Sequence, residues 1–259
     1  MTDNSNNEQI EMGKRHFYDK EIIERLEKLA EKRSFVEVMF AFPGYINRYN
    51  LTRMLAYFEL FKMVQHKPGW IVECGVYRGF SLFALAKFME IFCMGDKSRK
   101  VLGFDNFAGL TELSQEDGKK DEEVGKKKGG LSPLKYREDV MELMEICNQD
   151  AFAPWAKRVE IVEGDVEKTI PKYVSDYPGL RISMLHLDID LYNPTKIALE
   201  HLYPRVVSGG LVVLDEYAHI DWGGESKALE DYFASLGEPI PELKTFNWCS
   251  TPTTYFIKR

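Results

Sequence analysis

Acidic residues close two apolar runs in the second half of the sequence. The first run ends in Asp188 and Asp190, and the second ends in Asp215 and Glu216. Leucine and β-branched residues that give way to polar ones only at the end of a run are typical of a buried parallel strand. Ligands of open α/β sheets bind outside the carboxyl ends of the strands, so these carboxylates should face one place. They would repel one another unless a cation lay among them, and a divalent cation that prefers oxygen ligands suits the position.

The rest of the sequence predicts the sheet that positions these acids. Five segments have strand character, at residues 70–74, 101–105, 159–163, 182–187 and 211–214. Helical periodicity follows each of them, at residues 81–92, 134–148, 167–173, 195–203 and 226–236. Strands separated by helices favour parallel βαβ units. We therefore predict an α/β fold with a Rossmann-like, mostly parallel sheet flanked by helices.

Further elements are predicted at both ends of this sheet. An N-terminal helical extension has apolar periodicity over residues 20–33 and 50–64, with Asn50 as the cap of the second helix. Residues 245–248 and 254–258 are predicted to form a closing antiparallel pair.

The chain is predicted to be a single domain over residues 1–259. Residues 1–66 would form a disordered tail and the helical extension, and residues 67–259 the Rossmann-like core. Residues 115–132 are predicted to be a mobile loop, because lysines, acids and glycines alternate there with almost no apolar residue. A solvated surface loop and a lid over a substrate are both open readings of that segment.

Charge and composition exclude several classes of function. The 259 residues carry a formal net charge of −7, so neither nucleic acid nor an anionic membrane is an expected partner. No apolar run reaches the roughly 18 residues of a membrane helix, and the polar N-terminus lacks the apolar stretch of a secretory signal. The four cysteines form no C-x-x-C pair, which favours reduced thiols and a cytoplasmic location.

A glycine-containing turn follows the first predicted strand. Gly75 and Gly79, between Glu73 and Ser81, would let the backbone turn sharply and approach a ligand. The dinucleotide fingerprint G-x-G-x-x-G does not fit, since Glu73 stands where its first glycine would be. A carboxylate there opposes a pyrophosphate but suits a cation. Asp105 ends the second strand, where an acid is placed to accept both ribose hydroxyls of a nicotinamide or a methionine cofactor.

The pattern E-x-G-x-x-x-G-x-S resembles motif I of class I S-adenosylmethionine-dependent methyltransferases, although a plain βα turn would also use these glycines. The resemblance implies S-adenosyl-L-methionine as the cofactor and Asp105 on its ribose. At the turn itself it implies the motif residues Glu73, Gly75, Tyr77, Gly79 and Ser81. It also implies Gly164 and Asp165 after the third strand, where such enzymes often place an acid against the adenine. A helix N-cap is the alternative for Asp165.

Five ordered segments resemble the macrocin O-methyltransferase (TylF-type) family, which methylates sugar hydroxyls. They are residues 72–79, 104–110, 187–192, 202–205 with the glycines at 209 and 210, and 215–217. The resemblance implies that Asp188, Asp215 and Glu216 bind Mg²⁺ or another divalent cation and that Asp188 is also the general base. Asp190 is expected to support these residues or to be structural. The sequence departs from the family pattern at Ile189, where glycine is common, and at Glu216, where aspartate is common.

The resemblance implies a small-molecule or glycan acceptor whose sugar hydroxyl is methylated. Tyr192, His219 and Trp222 are the candidates for contacting it, whereas His186 is expected to be a core histidine and Arg53 to lie at the surface. Methyl transfer to a phenolic or catechol hydroxyl or to a sugar amine stays open, as does a non-catalytic nucleotide-binding protein with a decayed site. The resemblance also implies a homodimer or larger homo-oligomer formed through the N-terminal helices.

Overall fold

One sheet organises the structure. Its strands are β1 (Trp70–Cys74), β2 (Val101–Asp105), β3 (Val159–Glu163), β4 (Ile182–Leu187), β5 (Val206–Leu214) and β6 (Thr254–Ile257). The computed structural model describes residues 20–119, 121 and 125–259, and within them these six strands have the order β3-β2-β1-β4-β5-β6. The first five run parallel, and β6 pairs antiparallel with β5. The predicted Rossmann-like α/β fold is confirmed.

Helices precede the sheet and connect its strands. They are α1 (residues 20–30 of the described chain), α2 (Phe35–Phe40), α3 (Phe42–Tyr45), α4 (Arg48–Val64), α5 (Phe80–Phe92), α6 (Arg137–Gln149), α7 (Val166–Asp176), α8 (Tyr192–Leu202) and α9 (Gly223–Leu236). Short 3₁₀ turns lie at Leu134–Tyr136, Pro154–Ala156 and Tyr203–Arg205. The chain divides into two compact units after Thr52. Across the described residues, no helix has the length and apolar character needed to span a membrane.

The start of β5 differs from the sequence expectation. The strand begins at Val206 rather than Leu211, because a bulge continues the pairing through glycines that indicate a turn in the sequence. Gly209 has φ +73°, and its N–H donates to the Lys258 carbonyl at 2.7 Å. The strand therefore reaches back through a segment that reads as a turn.

Two helix boundaries also differ. The Asn47 side chain accepts the Asn50 N–H at 2.7 Å, so the cap of α4 is Asn47 and the prediction of Asn50 was wrong. Helix α8 begins at Tyr192, ahead of the predicted start at residue 195, because Pro194 stands in a first turn that requires no N–H from it.

The prediction that residues 245–248 pair with residues 254–258 as an antiparallel strand was wrong for the first segment. Residues 245–248 form no strand, and β6 pairs instead with β5. On the other side of β6, the chain is joined by a single backbone bridge between Lys244 and Tyr255. The Phe246 ring stacks on Tyr255 with ring centres 5.2 Å apart, so side-chain packing holds this segment.

The register of the central strands brings their polar residues onto one face. Glu73 of β1 is paired with His186 of β4, and His186 with Val213 of β5. Side chains alternate between the two faces of a strand. Asp188 and Asp215, each two residues further along, therefore follow on the same side at the carboxyl edge. Apolar residues of α4, α5 and α6 pack against this face, and those of α7, α8 and α9 against the opposite one.

One carboxylate holds the loop that leads into β2. Asp96 Oδ1 accepts the N–H and the hydroxyl of Ser98, both at 2.8 Å, and the N–H of Arg99 at 3.2 Å. Its Oδ2 accepts the Arg99 Nε–H at 2.5 Å. Burial alone would raise the pKa of Asp96, but these hydrogen bonds outweigh it and hold that pKa well below its usual range.

The hydrogen bonds of Asp96 should make the free energy of unfolding depend on pH. A depressed folded-state pKa adds stability above the unfolded pKa of about 4, and that stability is lost as the pH falls below it. We expect Asp96→Asn to lower the free energy of unfolding by about 1–2 kcal/mol at neutral pH and by less near pH 3.5. Urea denaturation at both pH values checks this, and an equal loss at both would contradict it.

Candidate active site at the carboxyl edge of the sheet

The glycine turn after β1 lies directly against the end of β4. Gly75 has φ +92°, and a Cβ built on it would lie 1.7 Å from the Asp188 carbonyl oxygen. The Asp188 N–H donates to the Cys74 carbonyl at 2.8 Å. A residue without a side chain at position 75 is therefore what allows the turn to meet the strand that carries Asp188. Gly79, with φ +81°, ends the turn as the N-cap of α5.

Asp105, predicted to bind the ribose, organises the same turn. Its Oδ2 accepts the N–H groups of Val76 and Tyr77, both at 2.7 Å, and its Oδ1 accepts the Phe107 N–H at 2.7 Å. Tyr77 has φ +51°, and its side chain is about half exposed at the edge of the sheet. Asp105 thus fixes the shape of the predicted cofactor turn, and its contact with a ribose stays a prediction.

The two residues after β3 lie beside Asp105. The Gly164 N–H donates to the Asp105 carbonyl at 2.8 Å. The Asp165 side chain accepts the Glu167 N–H at 3.1 Å and is the N-cap of α7. The capping alternative for Asp165 is therefore present in the structure, and a contact with adenine stays a prediction.

Glu73 and Ser81 lie inside the protein, although the resemblance implies that they bind the cofactor. Glu73 is fully buried and Ser81 is 4% exposed, and the Ser81 hydroxyl donates to Glu73 Oε1. The alternation of β1 turns Glu73 toward the face covered by α4 and α5, where its Oε1 lies 3.2 Å from His186 Nδ1. The carboxylate therefore faces a histidine, and its contact with a cofactor stays a prediction.

His186 links the cofactor turn to the acidic edge, by which we mean the carboxylates of Asp188, Asp190, Asp215 and Glu216 after β4 and β5. Its ring is fully buried, and its Nε2 lies 3.6 Å from Asp215 Oδ1. Burial alone would lower the pKa of His186, but the Asp215 and Glu73 carboxylates outweigh it and raise that pKa to about 10. The expectation of a core histidine is right about burial, but the ring stands between two carboxylates rather than among apolar groups.

The carboxylates of β4 and β5 converge as the sequence argument requires. Ligand atoms of His186, Asp188 and Asp215 all lie within 4.8 Å of one another. Glu216, predicted as the third metal ligand, is absent from this group in the described part of the chain. Its N–H donates to Glu225 Oε2 at 2.7 Å. The third member of the group is instead the His186 imidazole, two residues before Asp188.

The carboxyl groups of the acidic edge have pKa values raised above their usual range. Burial and the neighbouring Asp215 raise the pKa of Asp188 well above its usual range and that of Glu216 to about 8. The same two causes raise the pKa of Asp190 to about 7, and this residue has φ +59° in the turn before α8. Perturbed carboxyls that cluster in this way are common at functional sites.

Arg53 lies at this edge rather than at the protein surface. Its Nη2 is 4.0 Å from Asp188 Oδ2 and 4.0 Å from Asp215 Oδ1, and its side chain is only 19% exposed. Its guanidinium also lies 5.4 Å from the centre of the Phe80 ring. A fixed positive charge thus offsets part of the repulsion between the two carboxylates.

Glu225, in the first turn of α9, holds the end of β5. It is fully buried, and its two carboxylate oxygens accept the N–H groups of Asp215 at 3.1 Å and Glu216 at 2.7 Å. Burial raises the pKa of Glu225 well above its usual range. This support fixes the backbone from which the Asp215 carboxylate projects.

The lysine-rich insertion is anchored at the same edge. Lys126 is 3% exposed, its ammonium donates to the carbonyls of Asp117 and Asp221, and it lies 5.2 Å from the centre of the Trp222 ring. Asp117 is 2% exposed, and its Oδ1 accepts the Tyr192 N–H at 2.6 Å. A solvated loop is therefore wrong for these two insertion residues, because they join the loops that follow β2, β4 and β5.

This anchor makes a prediction. Lys126→Met keeps the apolar stem but leaves the buried Asp117 carbonyl and the Asp221 carbonyl without their donor, so we expect the free energy of unfolding to fall by about 1–3 kcal/mol. The KM for the acceptor should rise because Lys126 would no longer hydrogen-bond the loops of Asp117 and Asp221, which lie beside the acidic edge. Lys119→Met, at an exposed insertion lysine, is the control. Urea denaturation and steady-state kinetics check this, and a Lys126 variant that behaves like the control would contradict it.

The three candidate acceptor residues have different surroundings. Tyr192 is 8% exposed, and its hydroxyl lies 3.0 Å from Asp231 Oδ2 of α9, which is a contact between helices. His219 is exposed in the loop after β5, and its Nδ1 accepts the Asp221 N–H at 3.3 Å. Trp222 is half-buried against Lys126. Acceptor contacts for these residues stay predictions.

This arrangement has relatives among known proteins. The family model described as macrocin-O-methyltransferase (TylF) matches residues 50–246. The chain belongs to the macrocin-O-methyltransferase (TylF) family. Over 181 residues it is 33% identical to the 8-demethyl-8-(2,3-dimethoxy-alpha-L-rhamnosyl)-tetracenomycin-C 4'-O-methyltransferase of Streptomyces olivaceus. The match covers 68% of this chain and 63% of that relative, so this TylF-family chain spans less than two thirds of the relative's length.

Solved structures share the fold of this TylF-family chain. The calicheamicin methyltransferase CalS11 superposes with a TM-score of 0.82 at 27% identity, over 93% of this chain and 92% of the other. The apo structure of CalS11, described as a TDP-rhamnose 3'-O-methyltransferase, superposes with a TM-score of 0.74 at 27% identity, over 93% and 94%. The fold is thus that of the class I methyltransferases, with the acidic group at the carboxyl edge of the sheet.

Proposed function

We propose that this chain is an S-adenosyl-L-methionine-dependent O-methyltransferase that acts on a sugar hydroxyl with the help of a divalent cation. The observation that carries the proposal is the approach of Asp188 and Asp215 to each other beside the glycine turn of a TylF-family chain. Names of the relatives support the acceptor class, since the tetracenomycin enzyme and CalS11 are both described by rhamnose-type sugars. We therefore propose a deoxysugar of a glycoside or nucleotide sugar as the acceptor.

The residues at the edge fit a divalent cation. Asp215 Oδ1 and His186 Nε2 are buried polar atoms without a hydrogen-bond partner, and both belong to the group that includes Asp188. Buried polar atoms are almost always paired, so two orphans that face each other indicate a missing partner. A cation held there by Asp188 and Asp215 would lower the pKa of an acceptor hydroxyl and orient it.

The protein's own contribution is mainly positioning and proton acceptance. S-Adenosyl-L-methionine supplies a methyl group that is already activated on a sulfonium. The turn shaped by Gly75 and Asp105 would hold that donor in line with the acceptor oxygen, and such orientation supplies roughly 7–11 kcal/mol in favourable cases. Asp188, whose side chain is 25% exposed at the end of β4, would take the proton that leaves the hydroxyl.

Two measurements test the proposal. Calorimetry should show binding of S-adenosylhomocysteine with a Kd of about 1 μM, and NADH should not bind; NADH binding without S-adenosylhomocysteine binding would reverse the cofactor assignment. Mass spectrometry of a panel of rhamnosyl glycosides and nucleotide sugars should then detect a product 14 mass units heavier, which is the net gain of one CH₂. A panel that includes catechols and amino sugars shows whether the acceptor class is wrong.

We propose a homo-oligomer as the working assembly. Helix α2 exposes large apolar side chains, with Phe35 77% and Phe40 88% exposed, which suits a contact with a second copy of the chain. Light scattering after size exclusion should give at least twice the 30.0 kDa mass of the chain. A monomer at micromolar concentration would contradict this part of the proposal.

A further inference from the structure

A groove lies at the amino edge of the sheet, opposite the acidic edge. Its volume is about 480 Å³, which is within the range of small-molecule sites. Three segments of the chain line this amino-edge groove: Gly69 and Trp70 at the start of β1, Ser98 and Arg99 ahead of β2, and residues 176–181 between α7 and β4. The length of a five-residue strand, roughly 16 Å, separates the groove from the acidic edge, so it is not part of the candidate active site.

Two accessible aromatic side chains line the amino-edge groove. The Trp70 indole N–H donates to the Ser98 carbonyl at 3.0 Å, which fixes the orientation of the ring. Tyr177 is 51% exposed, and its ring centre lies 4.5 Å from that of Tyr173, so this ring is held by a neighbour and still reaches solvent. Fixed aromatic rings of this kind are the surfaces on which nucleobases and other flat ligands stack.

Two guanidinium groups meet at the rim of the groove. Arg181 Nη1 donates to the Pro178 carbonyl at 3.3 Å, and Arg205 Nη1 donates to the same carbonyl at 2.7 Å. In the part of the chain that the structure describes, neither arginine has an ion pair with a carboxylate. Asp176, the acid among the lining residues, is paired with Lys172 instead. Two positive charges at one oxygen repel each other unless an anion lies among them.

A phosphate monoester is the anion that suits this pair of arginines. Each guanidinium presents its N–H groups as a planar fork, which matches phosphate oxygens two at a time. The Arg181 fork is oriented by its bonds to the Pro178 carbonyl and, at 2.7 Å, to the Leu180 carbonyl. A phosphate monoester carries about −1.5 to −2 charges at neutral pH and would offset both guanidinium charges, whereas a carboxylate offsets one.

We propose that the amino-edge groove is a second ligand site, which binds a nucleoside monophosphate with its base against Trp70 and Tyr177 and its phosphate at Arg181 and Arg205. Recognition through ring faces and charge tolerates different bases, so pyrimidine and purine nucleotides should both bind. The site does not depend on the proposed function, because none of its residues belongs to the cofactor turn or to the acidic edge.

Calorimetry on the full chain, with the donor site saturated by S-adenosylhomocysteine, tests the proposal. Uridine monophosphate and adenosine monophosphate should bind with Kd values below about 1 mM, and uridine or inorganic phosphate alone should bind at least about tenfold more weakly. Nucleotide binding that occurs only without S-adenosylhomocysteine would belong to the donor site and would overturn the proposal. Inorganic phosphate or benzoate that binds as tightly as the nucleotides would overturn the assignment of the ligand class.

Nuclear magnetic resonance locates the ligand in the wild-type chain. Uridine monophosphate should shift the Trp70 indole N–H signal and the backbone N–H signals of Tyr177 and Arg181. The backbone N–H signals of Gly75 and Gly164, at the carboxyl edge of the sheet, should stay unchanged. Bound nucleotide that shifts only the signals of the carboxyl edge would contradict the proposed location.

Charge variants should change the nucleotide affinity in opposite directions. Arg181→Gln should weaken uridine monophosphate binding about 10–100-fold, the range of hydrogen bonds to a charged group. Asp176→Asn removes the carboxylate of the groove and should tighten binding about two- to fivefold. Lys62→Gln, at an exposed lysine of α4 that pairs with Glu59, is the control and should leave the Kd unchanged. An Arg181→Gln protein that binds the nucleotide as tightly as this control does would overturn the proposal.

Discussion

Asp188→Asn should reduce kcat/KM for methyl transfer about 10²–10⁴-fold, the range expected when a general base is lost. The amide keeps the size of the side chain but accepts no proton, and it is a poorer partner for a cation than a carboxylate. The Asp188 carboxylate lies near Asp215 and Arg53, whereas the hydrogen bonds to the cofactor turn come from the Asp188 backbone and the Asp105 side chain, which the substitution keeps. S-Adenosylhomocysteine affinity should therefore change by less than the about tenfold that 1.4 kcal/mol represents.

Asp176→Asn is the matched control for this variant. Asp176 is an exposed acid at the end of α7 that pairs with Lys172, and it lies at the opposite edge of the sheet. The control should have wild-type kinetics and the same affinity for S-adenosylhomocysteine. An Asp188→Asn enzyme with wild-type turnover would remove this carboxylate from the chemistry.

Gly75→Ala should damage cofactor binding and the acidic edge together. The new methyl group would lie 1.7 Å from the Asp188 carbonyl oxygen, and φ +92° is a backbone conformation that alanine adopts only with strain of about 1–3 kcal/mol. Backbone must move to relieve the clash, and displacement of catalytic groups by about 1 Å can cost about 10²-fold in rate. We expect a lower free energy of unfolding, loss of measurable S-adenosylhomocysteine binding, and a rate at least about 10²-fold lower.

Gly95→Ala separates this effect from a general intolerance to alanine. Gly95 has an ordinary φ, and a Cβ built there meets nothing within 4 Å. The control should be as stable as the wild type or slightly more stable, because alanine lowers the entropy of the unfolded chain. Calorimetry and urea denaturation on both variants check the pair. Tight S-adenosylhomocysteine binding by Gly75→Ala would show that the turn does not depend on its close approach to β4.

The parallel strands were predictable because each is an apolar run with a polar end. The bounds of β1, β2, β3 and β4 agree with the sequence analysis. For β1, β2 and β4 the reason is burial on both faces, which makes nearly every residue apolar, whereas β3 is only partly buried. The start of β5 was not predictable, because a glycine such as Gly209 is equally compatible with a turn and with a bulge inside a strand. The cap at Asn47 was missed because Asn50 is an equally good capping residue by type.

The carboxyl-edge rule placed Asp188 and Asp215 together, but it could not predict that His186 lies beside them. Alternation along β4 puts His186 on the same face as Asp188, and register puts it beside Glu73. Both signals were present in the sequence once the strand order was known, yet a histidine inside an apolar run is usually a core residue. Strand order comes from long-range pairing that no local pattern contains.

The anchoring of the insertion by Lys126 could not be predicted from the sequence. Lys126 stands among five lysines of one segment, and nothing in its neighbours distinguishes it from the exposed Lys119. Its burial depends on carbonyls of Asp117 and Asp221, which are brought together only by the fold. Glu225 is a similar case, since its partners are the backbone N–H groups of Asp215 and Glu216 at the end of β5.

The central claim is that a cation held by the ends of β4 and β5 lies beside the methyl group of the donor. Electron–nuclear double resonance on the Mn²⁺-loaded protein with S-adenosyl-L-methionine labelled by ¹³C at the transferable methyl tests it without knowledge of the acceptor. A resolved ¹³C coupling that Asp215→Asn removes is the expected result. Mn²⁺ and donor bound together with no ¹³C coupling would contradict the account.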